Sequence, residues 1–239
     1  MTITIDASQR KAARVVGLTY LFALIPANFA EFYVPGQLID YGNVADTARN
    51  IMAHERLFRL GIASNLIVFA VDVVLITALY VVLKPVNRSL CLLATFWRLV
   101  ETASLVVVTL DDFDVLRILS GAEYLRAFEP DRLHALARLS IGAHGAGYLV
   151  GLLFFGLGST VFCYVWFKSN FIPRVLAAWG VFSSLLVAIC TFAFIIFPDL
   201  GDVLIPGCFA PIFIFELAMG FWLLIKGLRP SGIAGPART

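Results

Sequence analysis

Glu31, Asp72, Glu101, Glu216 and Arg98 interrupt stretches that are otherwise apolar enough to span a membrane, and their formal charge sums to −3. A charge at the bilayer centre costs at least about 2.5–3.5 kcal/mol, so such residues face a protein interior or a wet cavity and mark functional sites by default. Loss of hydration favours the uncharged acid. A neutral carboxylic acid in a low-dielectric site is a competent proton donor, which makes Glu216 and Asp72 candidates for general acid–base work. His144 is a candidate base or orienting group, with Glu31 as a further catalytic carboxylate. Arg98, Glu101 and Asn65 are candidate substrate-binding residues. Asn65 lies seven residues before Asp72 on the same helix face, and Arg98 and Glu101 fall on one stripe with Thr95.

A plainer role competes with the chemical one. Arg98 can pair with Asp72 or Glu101 and lock helices together, as buried ion pairs often do with little net stability. One arginine matched to one acid still leaves three acids without a cation. Metal chemistry has little warrant, because His54, His134 and His144 are the only histidines and no HxxxH, HExxH or Glu-x-x-His pattern occurs. No metal or cofactor is expected. A nucleophile elbow, a phosphate-cradling loop and a dinucleotide fingerprint are all missing from the sequence.

The elements that must position these residues are membrane spans. The chain of 239 residues is 60% hydrophobic and only 14% charged, with mean hydropathy +0.90; a soluble domain carries roughly 25% charged residues. The expected fold is all-α, a polytopic helical bundle of six transmembrane helices forming a single integral membrane domain over residues 1–239. Six runs are long enough to cross ~30 Å of hydrocarbon: residues 15–34, 58–83, 89–110, 139–167, 175–197 and 205–225. Continuous apolar runs exclude a β-barrel. The polar start and the missing small-residue cleavage site make the first run a retained span.

Basic residues set the orientation. Arg10, Lys11, Arg14, Lys84, Arg88, Lys168, Arg174, Lys226, Arg229 and Arg238 flank one side with Asp6 as the single acid, a balance of +9. The other side holds seven arginines and eleven acids, a balance of −4. The positive-inside rule places both termini in the cytoplasm. These basic residues are helix flanks and not a patch, so no nucleic-acid partner is expected; the bilayer itself is the partner. At 1.5 Å per residue, Asp72, Glu101 and Glu216 fall near span midpoints, with Glu31 and His144 toward the outer ends.

Two outer connections, residues 35–57 and 111–138, mix apolar and charged residues and read as short interfacial helices, the second broken near Pro130. Gly142, Gly145, Gly147 and Gly151 share a face with His144 and permit close helix contact. Pro26 before Glu31, and Pro206 and Pro211 before Glu216, are expected to kink their helices and open space near the acids. Cys91, Cys163, Cys190 and Cys208 show no CxxC spacing; Cys190 and Cys208 could both lie toward the outer face, but free apolar thiols are the preferred reading.

Several segments together are distinctive: Ala30-Glu31-Phe32, Phe58-Arg59-Leu60-Gly61-Ile62-Ala63, Phe96-Trp97-Arg98-Leu99-Val100-Glu101, His144-Gly145-Ala146-Gly147-Tyr148, Ile172-Pro173-Arg174, and Glu216 ahead of Trp222 and Lys226. The chain resembles a bacterial multi-pass family known as domain of unknown function 4386. Members often carry an acid where this chain has Asn65. The resemblance implies a six-span protein of the bacterial cytoplasmic (inner) membrane, and its His144 motif adds Tyr148 to the candidate binding residues. It brings no activity.

The expected function is therefore acid–base chemistry on a hydrophobic small molecule, such as a lipid or isoprenoid, in a polar intramembrane cavity. The alternatives are a non-catalytic binder or proton-coupled carrier, and an accessory protein whose buried charges only fix helix register.

Overall fold

The structure, a computed structural model, describes residues 5–229; residues 1–4 and 230–239, including Arg238, lie outside the described residues, as do the side chains of Asp202, Val203 and Pro206. The described chain is all-α. Helix α1 (Ala7–Asn28) passes through a π-helical turn (Phe29–Tyr33) into α2 (Val34–Leu38). Then follow α3 (Val44–Ala53), α4 (Glu55–Leu83), α5 (Arg88–Ile118), a 3-10 turn (Glu123–Ala127), α6 (Pro130–Ser169), α7 (Arg174–Ile196), a 3-10 turn (Pro198–Leu200) and α8 (Gly201–Ile225). Among the described residues, six stretches are long and apolar enough to cross a membrane: Ala7–Leu38, Glu55–Leu83, Arg88–Ile118, Pro130–Ser169, Arg174–Ile196 and Gly207–Ile225.

Local chemistry fixes the helix ends. Asp6 and Gln9 exchange side-chain and backbone hydrogen bonds of 2.7 and 3.1 Å at the start of α1, a capping box with Asp in the Ser/Thr role. Asn43 accepts from Ala45 and Asp46 amides at the start of α3. Pro130 opens α6, where its missing N–H costs nothing. Asn170 and Gly227 adopt positive φ of 55° and 67° just beyond α6 and α8, where left-handed backbone stops a helix.

Helices outrun the apolar runs that announce them. α5 continues to Ile118 and α6 starts at Pro130, so most of residues 111–138 belongs to these two helices, with the 3-10 turn of Glu123–Ala127 between them. The extension of α5 is held by its buried Val115 and Leu116 and by an Arg117–Asp114 ion pair at 3.1 Å. Within residues 35–57 the helix α3 covers Val44–Ala53.

The apolar side chains point outward to a degree that only lipid tolerates. Ile25, Val175 and Ile225 are 75%, 84% and 72% exposed, while Asn65, Arg98 and Glu101 are buried. So many exposed large apolar side chains on helices long enough to cross a bilayer mark a membrane-facing surface. The chain is an integral, multi-pass membrane protein.

The chain divides into two compact units. The first contains Met1–Phe22, Asp72–Glu101 and Leu152–Thr239. Its core includes Trp166, Phe171, Phe215, Met219 and Leu223. A Cβ on Gly156 would lie 2.7 Å from the Ala188 backbone nitrogen, so α6 and α7 meet almost backbone to backbone. Cys190 of α7 and Cys208 of α8 form a disulfide across a Cα separation of 6.3 Å, which corrects their reading as free thiols; Cys91 and Cys163 are free and buried. The short turn around Pro198–Leu200 folds α8 back along α7 and brings together two cysteines whose spacing in sequence gives no hint of pairing.

The second unit contains Ala23–Val71 and Thr102–Gly151. Val34, Leu38, Ile51, Phe58, Ile62, Val115, Leu116 and Ala137 form its core. A Cβ on Gly147 would lie 2.4 Å from Val108 Cγ2, and one on Gly151 would lie 2.6 Å from Leu105 Cδ2, so these two glycines let α6 close on α5. Gly142 and Gly145 face open space instead.

Candidate functional site

In the second unit the π-helical turn is the first determinant. Pro26 has no N–H for the α-helical ladder, and three residues later the helix widens, with the Val34 amide bonding back to the Phe29 carbonyl. Such insertions concentrate at functional sites, and this one carries Glu31. Where Pro26 is expected to kink the helix, a π turn follows it.

Glu31 Oε1 accepts a 2.7 Å hydrogen bond from Asn65 Nδ2 on α4. The same oxygen is 3.8 Å from His144 Nε2 on α6. The other ring nitrogen, Nδ1, lies 3.0 Å from Asp112 Oδ1 on α5. That contact has ion-pair distance without hydrogen-bond direction, since Nδ1 has no directed partner. The close α5–α6 approach at Gly147–Val108 and Gly151–Leu105 explains the meeting, because His144 and Asp112 sit one turn beyond that contact on their helices. Tyr148, one turn on from His144, stacks on its ring at 6.0 Å with the planes 16° apart.

These groups border a cavity of about 180 Å³. Glu31, Asn65, Asp112 and His144 supply its polar wall, while Val34, Leu38, Phe58 and Ile62 supply much of the apolar wall. Gly145 lines it as well, and its missing side chain leaves open space there. Asn65, a neutral donor, therefore serves to hold Glu31.

Asp72, Arg98, Glu101 and Glu216 belong to the first unit and are not among the lining residues of that cavity. Arg98 is 4% exposed. It hydrogen-bonds Asp72, donates to Ser159 Oγ at 3.2 Å, and sets Nε 3.1 Å from Glu101 Oε2, again off the hydrogen-bond direction. Its guanidinium carbon lies 4.4 Å from the centroid of the Phe155 ring, a cation–π contact. A Cβ on Gly158 would lie 2.7 Å from Arg98 Cγ, so that glycine makes room for the arginine stem. Glu216 and Tyr20 interact electrostatically with Arg98 and Asp72.

The eight candidates thus fall into two groups of four: Glu31, Asn65, His144 and Tyr148 in one, Asp72, Arg98, Glu101 and Glu216 in the other. Sequence reasoning missed Asp112, Ser159 and Tyr20. For Asp112 a signal existed: Leu105, Val108, Asp112, Val115 and Leu119 repeat at three- and four-residue spacing, which places the acid on the interior stripe of α5. Among the described residues no three His, Cys, Asp or Glu side chains gather closely enough to hold a metal ion.

No curated protein and no solved structure matches the chain. A family match covers residues 15–227, from the first span to the end of the last. The chain belongs to the family described as a domain of unknown function (DUF4386).

Proposed function

We propose that the cavity of the second unit binds a small molecule with an apolar body and that His144, oriented by Asp112, exchanges a proton with it. The observation that carries this reading is an imidazole held between two carboxylates at the wall of a mostly apolar cavity. A base within reach of a ligand and steered by a carboxylate on its other nitrogen is the recurring arrangement of general acid–base sites. Volume refines the substrate. Pockets for drug-sized ligands measure roughly 300–1,000 Å³, so about 180 Å³ accepts a compact molecule or the polar end of a lipid, and not a whole isoprenoid chain.

The setting proposed is the bacterial cytoplasmic membrane with both termini in the cytoplasm. The charge balance of the flanks supports that orientation. The Cys190–Cys208 disulfide supports it independently, because the turn between α7 and α8 then faces the oxidising side, where disulfides persist. For Arg98 a second reading is favoured: its contacts with two carboxylates, a hydroxyl and an aromatic face make it a lock between helices. A non-catalytic binder or proton-coupled carrier would use the same cavity, and only product formation separates those roles from catalysis.

Native mass spectrometry of the purified protein tests the reading. The wild type should retain a small molecule that Gly145→Leu loses, because the leucine fills the cavity without removing a polar group. Equal retention in both, with Gly145→Leu folded by its thermal transition, would sink it.

A further inference from the structure

We infer that the ligand of this cavity is a small organic cation, an amine with an apolar body, bound at Glu31. The inference rests on the cavity being a ligand site and adds the charge of what it takes. The lining contains two carboxylates, Glu31 and Asp112, and neither lysine nor arginine. Both nitrogens of His144 already face those carboxylates. Even with a charged imidazole, the wall keeps a formal charge of −1. Arg138, whose guanidinium stacks over the lining residue Tyr41 at 5.1 Å, is not itself a lining residue.

Hydrogen-bonding capacity points the same way. Glu31 Oε1 takes the Asn65 amide, while Glu31 Oε2 accepts no hydrogen bond among the described residues. An ionised carboxylate accepts only, so the wall has spare acceptors, while one of the two Asn65 amide N–H groups is already committed to Glu31. A ligand completes this set by bringing N–H donors and positive charge, and a charge-assisted bond to a carboxylate is roughly twice as strong as a neutral one. The aromatic rings of Phe58 and Tyr41 on the same wall suit a cation as well. The volume corresponds to roughly six water molecules at ~30 Å³ each, the scale of a single ring bearing one amine.

Isothermal titration of the purified full-length protein with cyclohexylamine, cyclohexanol and cyclohexanecarboxylate tests the charge, since the probes share a ring and differ in the head group. Cyclohexylamine should bind the wild type saturably and at least about tenfold more tightly than cyclohexanol, with no binding of the carboxylate. Glu31→Gln should bring the amine down to the level of the alcohol, and Gly145→Leu should abolish both. Cyclohexanol binding as tightly as the amine, or amine affinity unchanged in Glu31→Gln, would overturn the cation while leaving the cavity a ligand site. No saturable binding of the amine to the wild type also overturns the cation, and the mass-spectrometric comparison then judges the cavity separately.

Discussion

Replacing Arg98 with methionine removes a cation that interacts with Asp72, Glu101 and Glu216 while keeping the bulk of the side chain. Arg98 is 4% exposed and its guanidinium touches Asp72, Glu101, Ser159 and Phe155. At an effective dielectric constant near 20, each carboxylate in contact attracts it by about 5 kcal/mol, most of which the desolvation of the charges offsets. The pair therefore adds little net stability, yet losing one partner strands the others and costs about 3–5 kcal/mol. For a chain of this length 1 kcal/mol moves the midpoint by about 2–4 °C. Arg98→Met should accordingly lower Tm in detergent by about 6–20 °C, read by scanning fluorimetry or by loss of the monodisperse peak. Adding Asp72→Asn and Glu101→Gln to Arg98→Met should recover most of that loss, because the stranded charges are then gone. A single mutant within 2 °C of wild type, or a triple mutant no better than the single, would refute the lock.

Three further outcomes follow from the geometry. Gly156→Ala should destabilise by about 1–3 kcal/mol, since its Cβ meets the Ala188 backbone nitrogen at 2.7 Å and backbone cannot step aside; Gly145→Ala should be neutral or gain up to ~1 kcal/mol of helix propensity, and thermal melts of both check the sign. Maleimide mass-tagging of the unfolded protein should label Cys91 and Cys163 before reduction and all four cysteines after it; the Cys190→Ser/Cys208→Ser pair should lose ~3 kcal/mol of stability, the closure entropy of a loop of 18 residues. Asp112→Asn should lower turnover or ligand exchange and should weaken ligand retention less than Glu31→Gln does, because Asp112 lines the cavity but meets His144 from the side away from Glu31.

Membrane spans were legible because lipid imposes the same demand on every residue of a crossing helix, and an apolar run declares itself locally. Their ends were less so. α5 runs past its apolar stretch to Ile118, held by interior packing that hydropathy does not register, and this hid Asp112 among acids assigned to a loop. That Arg98 pairs with Asp72 or Glu101 was readable from charge alone, as few partners exist for a buried arginine; that it meets both depends on tertiary placement. Ser159 and Tyr20 carry no charge and nothing in their spacing sets them apart. The disulfide was half legible: topology allows Cys190 and Cys208 to share the outer face, but their pairing depends on how α8 folds back on α7, a relation between distant segments. Separation of the eight candidates into two groups is likewise a matter of tertiary placement, since all sit on long apolar helices that look alike in sequence.

The claim that His144 sits at the wall of a ligand cavity can be read directly from the histidine side chains, of which the chain has three. With the protein labelled at histidine ring nitrogens, titration of cyclohexylamine should shift the His144 resonances alone, assigned by their loss in His144→Gln, and leave His54 and His134 in place. Glu31→Gln should reduce that shift and Gly145→Leu should remove it. A titration that leaves the His144 resonances unmoved, or one that shifts His54 or His134 equally, would contradict the site.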